Sequence, residues 1–415
     1  PLVAVTVALR SGSARDPLDR EGCARFTGRL MRRTAGGREP KDLDALIDTL
    51  GAALSVEASH SSLAFQGVVV SRSLPRFIDL LADALARPRF DGGEFERLRR
   101  ECQSELVEVL DNDRSLAQRW FLRRLFAGDA FGRSVVGTQR TIARLTVDDV
   151  TDFHRSEVGA SNVVVAFGGD VDADFGHELA NRLVSSLPGG APFVEVEPDP
   201  SPRRGRHLVL VDKPERTQTQ ILIGGLGTRS DDPDHTALLV ANTIFGGTFG
   251  ARLAREIRVE RGWSYGAYSS LGVDRRRHAF SLWTFPKAED AAPCVRHELE
   301  MLARWRDGGV TAAELEQAQR YLTRSHVFAA DTATKRVGLA LDEEIYGLPA
   351  EYYEKYPDRV RAVTLDEVNA SIRSRIALDN LLVTVVGTAA AIAEPLRAAI
   401  PDLGSDEIVP FDEDA

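Results

Sequence analysis

Apolar and polar positions along this chain change period several times, and the changes lay out its elements. Residues 2–9, Leu-Val-Ala-Val-Thr-Val-Ala-Leu, form a continuous apolar run of strand length and predict a buried strand. After the loop at 11–17 the period lengthens to that of a helix over about residues 21–34. It does so again over 41–50, where Leu43, Leu46, Ile47 and Leu50 share a face and Gly51 ends the run. Residues 53–58 and 63–70 alternate like two antiparallel strands. An amphipathic helix is predicted at 74–86 and a long charged one at 91–110. Another helix begins at Thr146, a capping residue followed by Asp148 and Asp149 in its first turn. Residues 162–168 complete the series as a strand.

The second half returns the same parts in the same order. Thr146-Val147-Asp148-Asp149-Val150 reappears as Thr364-Leu365-Asp366-Glu367-Val368, and the 162–168 strand as residues 380–387. Asp91-Gly92-Gly93 reappears as Asp307-Gly308-Gly309, expected again to open a long charged helix. The offset is about 217 residues each time, which is duplication of a whole domain rather than a solenoid period. The expected organisation is a first domain at 1–187, a Pro-, Gly- and charge-rich linker at 188–205, and a second domain at 206–415. The chain opens directly on a strand without a signal peptide, as if upstream residues had been removed or are not included.

The 415 residues are 43% hydrophobic and 27% charged, which fits globular domains. A net charge of −10 argues against nucleic acid as a partner, and no run is long and apolar enough for a membrane span. Cys23, Cys102 and Cys294 are too few and too scattered for a disulfide framework or a metal cluster, and read as buried thiols. His60, His154 and His235 lack the four-residue pairing of metal ligands and read as structural or solvated. Periplasm and cytoplasm both stay open.

The candidate chemistry begins at Arg25 and Arg29, four apart on the 21–34 helix and so on one face. Histidine at both positions and glutamate at 28 would make His-x-x-Glu-His, two imidazole ligands and a base for a zinc-bound water. Here two guanidiniums, which have no lone pair for a metal, stand at the ligand positions, and Gly28 stands at the base position. A plain amphipathic helix with two solvated arginines is the alternative.

In the second half, residues 242–265 read Asn-Thr-Ile-Phe-Gly-Gly-Thr-Phe-Gly-Ala-Arg-Leu-Ala-Arg-Glu-Ile-Arg-Val-Glu-Arg-Gly-Trp-Ser-Tyr. This stretch and the internal duplication resemble the M16B peptidases, relatives of the mitochondrial processing peptidase, pitrilysin and insulin-degrading enzyme. The resemblance covers essentially the whole chain apart from a first strand that would precede Pro1. It implies an α+β fold, an α/β sandwich of two homologous domains, each a mostly antiparallel sheet packed with helices, as in LuxS/M16-type metalloenzymes.

It also implies roles for particular residues. The metal motif of such proteins falls at Arg25, Gly28 and Arg29, and a third ligand falls roughly 76 residues on, at Glu105, with Glu101 and Glu108 one turn away on either side. The site is therefore degenerate, with no metal and no cofactor expected in this chain. Arg25 or Arg29 is expected to pair with Glu105, since a buried carboxylate deprived of its cation needs another. Arg258 and Tyr265 match the residues that an inactive subunit donates to the active site of its zinc-containing partner. Their alternatives are a surface ion pair with Glu256 or Glu260 and a packed strand aromatic. Gly246 and Gly247 belong to a glycine turn in a region thought to handle substrate, although three glycines are fewer than the family's loop has. Ala53, Leu54, Ser55 and Val56 resemble the edge strand on which an extended peptide adds.

The function these residues imply is that of a non-catalytic subunit of a heterodimeric M16B zinc metallopeptidase. Its partner would be a homologous chain with an intact His-x-x-Glu-His, and its ligands would be peptides. The alternative is a purely structural subunit of the fold, like the core proteins of the cytochrome bc1 complex. A self-sufficient peptidase with another metal site finds no ligand cluster in the sequence.

Overall fold

The computed structural model describes residues 1–194 and 204–413. The parts of the 188–205 linker at 195–203 lie outside them. The chain forms two compact units, and each draws on both halves of the sequence. The first is built from residues 1–107, 133–197 and 327–353, the second from 108–132, 198–326 and 354–415.

In the first unit, β1 (Leu2–Leu9), β2 (Ala52–Ala58), β3 (Leu63–Val70) and β4 (Val163–Gly169) make one antiparallel sheet in the order β2-β3-β1-β4. The apolar run of β1 lies in the middle, paired on both sides, and residues 3–9 are buried, as a continuous rather than alternating pattern requires. The motif helix (Cys23–Arg33) packs Cys23, Phe26, Leu30 and Met31 into the core. The long helix Gly92–Asp111 adds Phe95, Leu98, Cys102 and Leu106.

The second unit repeats that order and extends it. β5 (Arg206–Asp212), β6 (Gln220–Leu226), β7 (Ala267–Leu271), β8 (Ala279–Thr284), β9 (Leu382–Gly387) and β10 (Leu403–Pro410) run β10-β5-β9-β6-β8-β7. Strands β7-β8-β6-β9 are the counterparts of β2-β3-β1-β4, while β5 and β10 add in parallel beyond β9. Both copies of the Thr-initiated helix, Val147–Glu157 and Leu365–Arg375, begin with a reciprocal capping box. The Asp-Gly-Gly copies differ. Gly92 opens its helix, whereas Asp307 and Gly308 end the helix Ala291–Gly308, and Gly309 leaves it at φ +65°. The helix that follows starts only at Ala312, capped by Thr311. A glycine of positive φ is a stop signal, and the local sequence was not enough to tell a stop from a start.

Each sheet is covered by a helix from the other half of the sequence. In the second unit Asp113–Leu125 lies over β9 and β6, and in the first Ala333–Tyr346 lies over β4 and β1. The 108–132 segment is pinned at both ends. Near its start the ammonium of Lys213, 3% exposed, donates to the Leu110 carbonyl and to Asp113 at 2.6 Å. At its end Arg276, 2% exposed, donates through Nη1 and Nη2 to both carboxylate oxygens of Asp129, at 3.2 and 2.5 Å.

The core of the second unit also holds a fully buried carboxyl, Glu298, whose oxygens lack a partner at bonding distance. Burial pushes it up to about 8, with some opposing support from the Thr284 hydroxyl. The native state therefore keeps a proton that the unfolded chain gives up near pH 4.5, and stability falls as pH rises from there toward 8. Glu298→Gln is expected to remove this decline, so that urea midpoints of the two proteins diverge above neutral pH in favour of the variant.

Candidate functional site

The motif helix is held at its start from outside. Gly22 precedes it at φ +92°, and the buried Asp16 accepts from the Gly22 and Ala24 amides at 2.8 and 2.7 Å. That satisfies amides that no residue of the helix itself caps. Past this start, Arg25 and Arg29 emerge on the face turned to the long helix Gly92–Asp111.

There both arginines close on one carboxylate. Arg25 Nη2 donates to Glu105 Oε2 at 2.8 Å, Arg29 Nη1 to the same oxygen at 2.9 Å, and Arg29 Nη2 lies 2.8 Å from Oε1. Arg29 Nη1 also lies 3.3 Å from Cys102 Sγ. One turn along, Glu101 takes Arg33 through both of its oxygens. Of the three carboxylates one turn apart, Glu105 is the one the motif arginines share. Its carboxyl is held below the usual range: burial opposes the shift, and the two guanidiniums outweigh it.

Gly28 faces elsewhere, into the packing against the sheet. A Cβ there would come within 2.6 Å of Leu63 Cδ1 and 2.9 Å of Val56 Cγ1. The position is thus filled by β2 and β3, and no acidic side chain fits without moving them. Zinc does not fit these residues: two cations occupy the carboxylate and the base position is closed. Among the described residues no group of three His, Cys, Asp or Glu side chains is arranged to hold a metal.

Two expectations follow. Glu105→Gln is expected to cost about 1 kcal/mol at neutral pH, the upper range for partly exposed pairs. Because the native carboxyl titrates below its unfolded value of 4.5, this loss should be largest above that pH and vanish as the native group protonates. Urea titrations at pH 7 and pH 3 check it. The triple change Arg25→His, Gly28→Glu, Arg29→His removes both guanidiniums and restores two imidazoles beside Glu105, so metal analysis is expected to find zinc bound, without hydrolysis, because residue 28 has no room for the base. It should also lose about 1–3 kcal/mol through overpacking at residue 28.

The strand beside the motif helix ends the first sheet. Leu54 of β2 accepts a long 3.4 Å contact from Arg32 Nε, and Ala53, Ser55 and Glu57 are exposed or partly so along this edge. Its counterpart β7, also an edge, is closed by the glycine turn. Ser269 donates to the Gly246 carbonyl at 2.9 Å, and a Cβ on Gly246 would lie 2.7 Å from the Ser269 nitrogen. Gly247 is pressed likewise against Thr243 and Asn242. Neither glycine has positive φ, so close approach is what demands them here.

Beyond the turn, Arg252–Ala254 is α-helical and Arg255–Glu260 winds into a π-helix. π-Turns are rare and concentrate at functional sites. This one sets the Arg258 guanidinium 4.1 Å from the ring centroid of Phe249 and 4.8 Å from that of Tyr265. Phe249 is 65% exposed and Tyr265 78%, so Tyr265 is no packed strand aromatic. The carboxylates that might have claimed Arg258 are engaged elsewhere. Glu256 accepts from His297 and Arg304 at 2.8 and 2.7 Å, and Glu260 lies 3.8 Å from both Arg255 and Arg261. Arg252, two turns earlier, grips Glu314 through two hydrogen bonds of 2.7 and 2.6 Å.

The structure thus brings Arg25, Arg29 and Glu105 together, and separately Arg258 with Tyr265. It sets Gly28 into packing, and Gly246 and Gly247 against a strand and a helix end. Sequence reasoning missed Phe249, which lies inside the quoted segment but across a glycine turn from Arg258. The three cysteines are buried free thiols, and His154 and His235 bond a carbonyl and a hydroxyl within the fold.

Comparison with known proteins gives a consistent picture. The family model described as insulinase (peptidase family M16) matches residues 1–139, and that described as the peptidase M16 inactive domain matches 144–322. A Helicobacter pylori protein named non-peptidase homolog YmxG is 21% identical over 93% of this chain and 89% of its own. An uncharacterized zinc protease of Mycobacterium tuberculosis is 26% identical over 85% of this chain and 81% of its own. The crystal structure of a peptidase M16 inactive domain from Pseudomonas fluorescens superposes with a TM-score of 0.87 at 24% identity, covering 93% of each chain.

Proposed function

Since the chain belongs to the M16 peptidase family and is an inactive member of it, we propose that it is the non-catalytic subunit of a heterodimeric M16B zinc metallopeptidase. In this reading the partner is a homologous chain with an intact His-x-x-Glu-His, which holds the zinc. This chain binds peptide and donates Arg258 and Tyr265.

The observation that carries the reading is the Arg258 clamp. A guanidinium between two exposed aromatics, on a π-turn, is poorly explained as a stability device, because both rings it touches are largely exposed. It does suit a transition state. Hydrolysis of a peptide bond puts negative charge on the scissile carbonyl oxygen, where a fixed phenol hydroxyl stabilises it. Arg258 keeps its donors at any working pH and can hold a neighbouring peptide carbonyl. Its stacked rings keep the fork oriented without consuming its hydrogen-bonding capacity.

The open edge of β2 supports the peptide-binding part. An extended chain adds to such an edge through backbone bonds, and the corresponding edge at β7 is taken by Gly246. Ala53, Leu54, Ser55 and Val56 are then a docking strand, while Gly246 and Gly247 act through the shape of the turn rather than by touching substrate.

The test is hydrolysis of a peptide library by this chain, by a homologue carrying the intact motif, and by the two mixed. Activity in the mixture well above that of either chain alone supports the reading. Chelator-sensitive activity of this chain alone overturns it. No activity in any combination favours a structural subunit of the fold.

A further inference from the structure

A cavity of about 160 Å³ lies in the second unit beside the glycine turn that precedes the π-helix. Phe249 of that turn stacks on Arg258, while its neighbours Thr248 and Gly250 line the cavity. Arg255, three residues before Arg258 on the π-helix, lines it too. A chain lying along the turn therefore meets the clamp and the cavity in succession. Resting on the reading above that a peptide lies there, we infer that the cavity is the subsite for an acidic side chain of that peptide, seated on Arg255.

Charge makes the selection. Arg252 and Glu314 both line the cavity, but they cancel each other through their two hydrogen bonds. Glu314 also accepts from the Thr311 amide and hydroxyl at 2.8 and 2.9 Å. Arg252 and then Thr311 hold its carboxyl down to about 2 against the cost of burial, so it stays ionised with its oxygens filled. Arg255 has no such counterpart. Its Nε lies 3.8 Å from Glu260 Oε1, beyond hydrogen-bonding distance. The lining thus carries one guanidinium whose charge is not cancelled at close range. A cationic guest is repelled by it and finds nothing left on Glu314. A carboxylate takes the planar fork of Arg255 through two charge-assisted bonds.

Neutral donors and an apolar floor complete the site. The Thr248 hydroxyl, the Gln317 amide and the Tyr321 phenol line the cavity, and none of these side chains bonds another group among the described residues. Gln317 and Tyr321 are exposed, so the cavity is open to water on their side. A carboxylate that enters keeps part of its hydration and escapes the full cost of burying a charge. The floor is Ile244, Ala251 and Ala318, at 8, 4 and 4% exposure. It receives the two methylenes of a glutamate while the carboxylate stays at the rim with Arg255.

The probes are end-blocked peptides of about ten residues, alternating serine and valine, with one glutamate moved along the chain and a glutamine counterpart for each. Fluorescence anisotropy with the whole chain, without any partner subunit, gives their affinities. The expected result is that at one position the glutamate peptide binds about fivefold tighter than its glutamine counterpart, the upper range for one exposed ion pair. The advantage should shrink in 0.5 M salt and vanish in Arg255→Gln, whereas Arg258→Gln should weaken both members of the pair alike. A difference below twofold at every position, a difference that survives Arg255→Gln, or no saturable binding of any glutamate peptide overturns the subsite. Hydrolysis by the mixed subunits separates this result from the donation of Arg258 and Tyr265. A glutamate preference in binding without hydrolysis keeps the subsite and removes the donation; hydrolysis without the preference keeps the donation and removes the subsite.

Discussion

Tyr265→Phe is expected to lower kcat of the paired enzyme by on the order of 10²-fold, the cost of one donor to a developing oxyanion, with KM changed by less than twofold. The geometry makes this a clean substitution. The ring at 265 is 78% exposed, and its contact in the clamp is the face it offers to Arg258. Phenylalanine keeps that face, so the guanidinium stays between the rings and the fold is untouched. What disappears is the hydroxyl, which on the proposed reading acts in the transition state and little in ground-state binding. Arg258→Ala should behave differently. In the proposed role it removes a carbonyl contact to peptide as well as the support for both rings, so KM should rise together with the fall in kcat. Steady-state kinetics of the mixed subunits separates the two patterns. A kcat within twofold of the native value for Tyr265→Phe would rule out donation of this residue.

The second large effect is on stability. Arg276→Met is expected to cost about 3–5 kcal/mol, the range for breaking a buried ion pair from one side. Arg276 is 2% exposed, and both of its Asp129 contacts are direct. Asp129 also accepts from the Phe131 amide at 2.8 Å, and the Phe131 ring lies under the guanidinium at 4.9 Å. Removing the cation strands a carboxylate among these groups. The double variant Arg276→Met, Asp129→Asn should recover part of the loss, because the amide keeps an acceptor for Phe131 without a bare charge. Denaturant midpoints of the two variants decide it. A single-variant loss under 1 kcal/mol would mean that the pair contributes nothing.

Much of this was legible beforehand, and the reason is local. Strand β1 and the helices at 23–33 and 74–86 carry clean periods, and the Thr-x-x-Asp and Thr-x-x-Glu caps announce their own helices. The pairing of Arg25 or Arg29 with Glu105 was expected because the family resemblance placed all three at one site, where charge balance calls for a cation; the structure engages both arginines. The rest depends on distance in the fold rather than in the chain. Asp113–Leu125 is separated from the long helix before it by Asn112, whose side chain caps Ser115, and no pattern in it says which sheet it covers. Gly28 read as a lost base; its packing on Val56 and Leu63 makes it a structural requirement as well. Phe249 could not be paired with Arg258 from an α-helical register, because it lies in the glycine turn before the helix and Arg258 in the π-helical segment after it.

The covering helices have a consequence for the ancestry of the fold. A tandem duplication first yields two copies that can each stand alone, and later loss of either copy is tolerated. Once Asp113–Leu125 covers the sheet of the later copy and Ala333–Tyr346 that of the earlier one, neither copy retains all of its own core. Deleting a half then strips the surviving sheet, so the duplication can no longer be undone by simple excision. Chemistry can be lost within such a chain, as the proposed reading has it at Arg25 and Arg29, while both copies are kept for the sake of the fold.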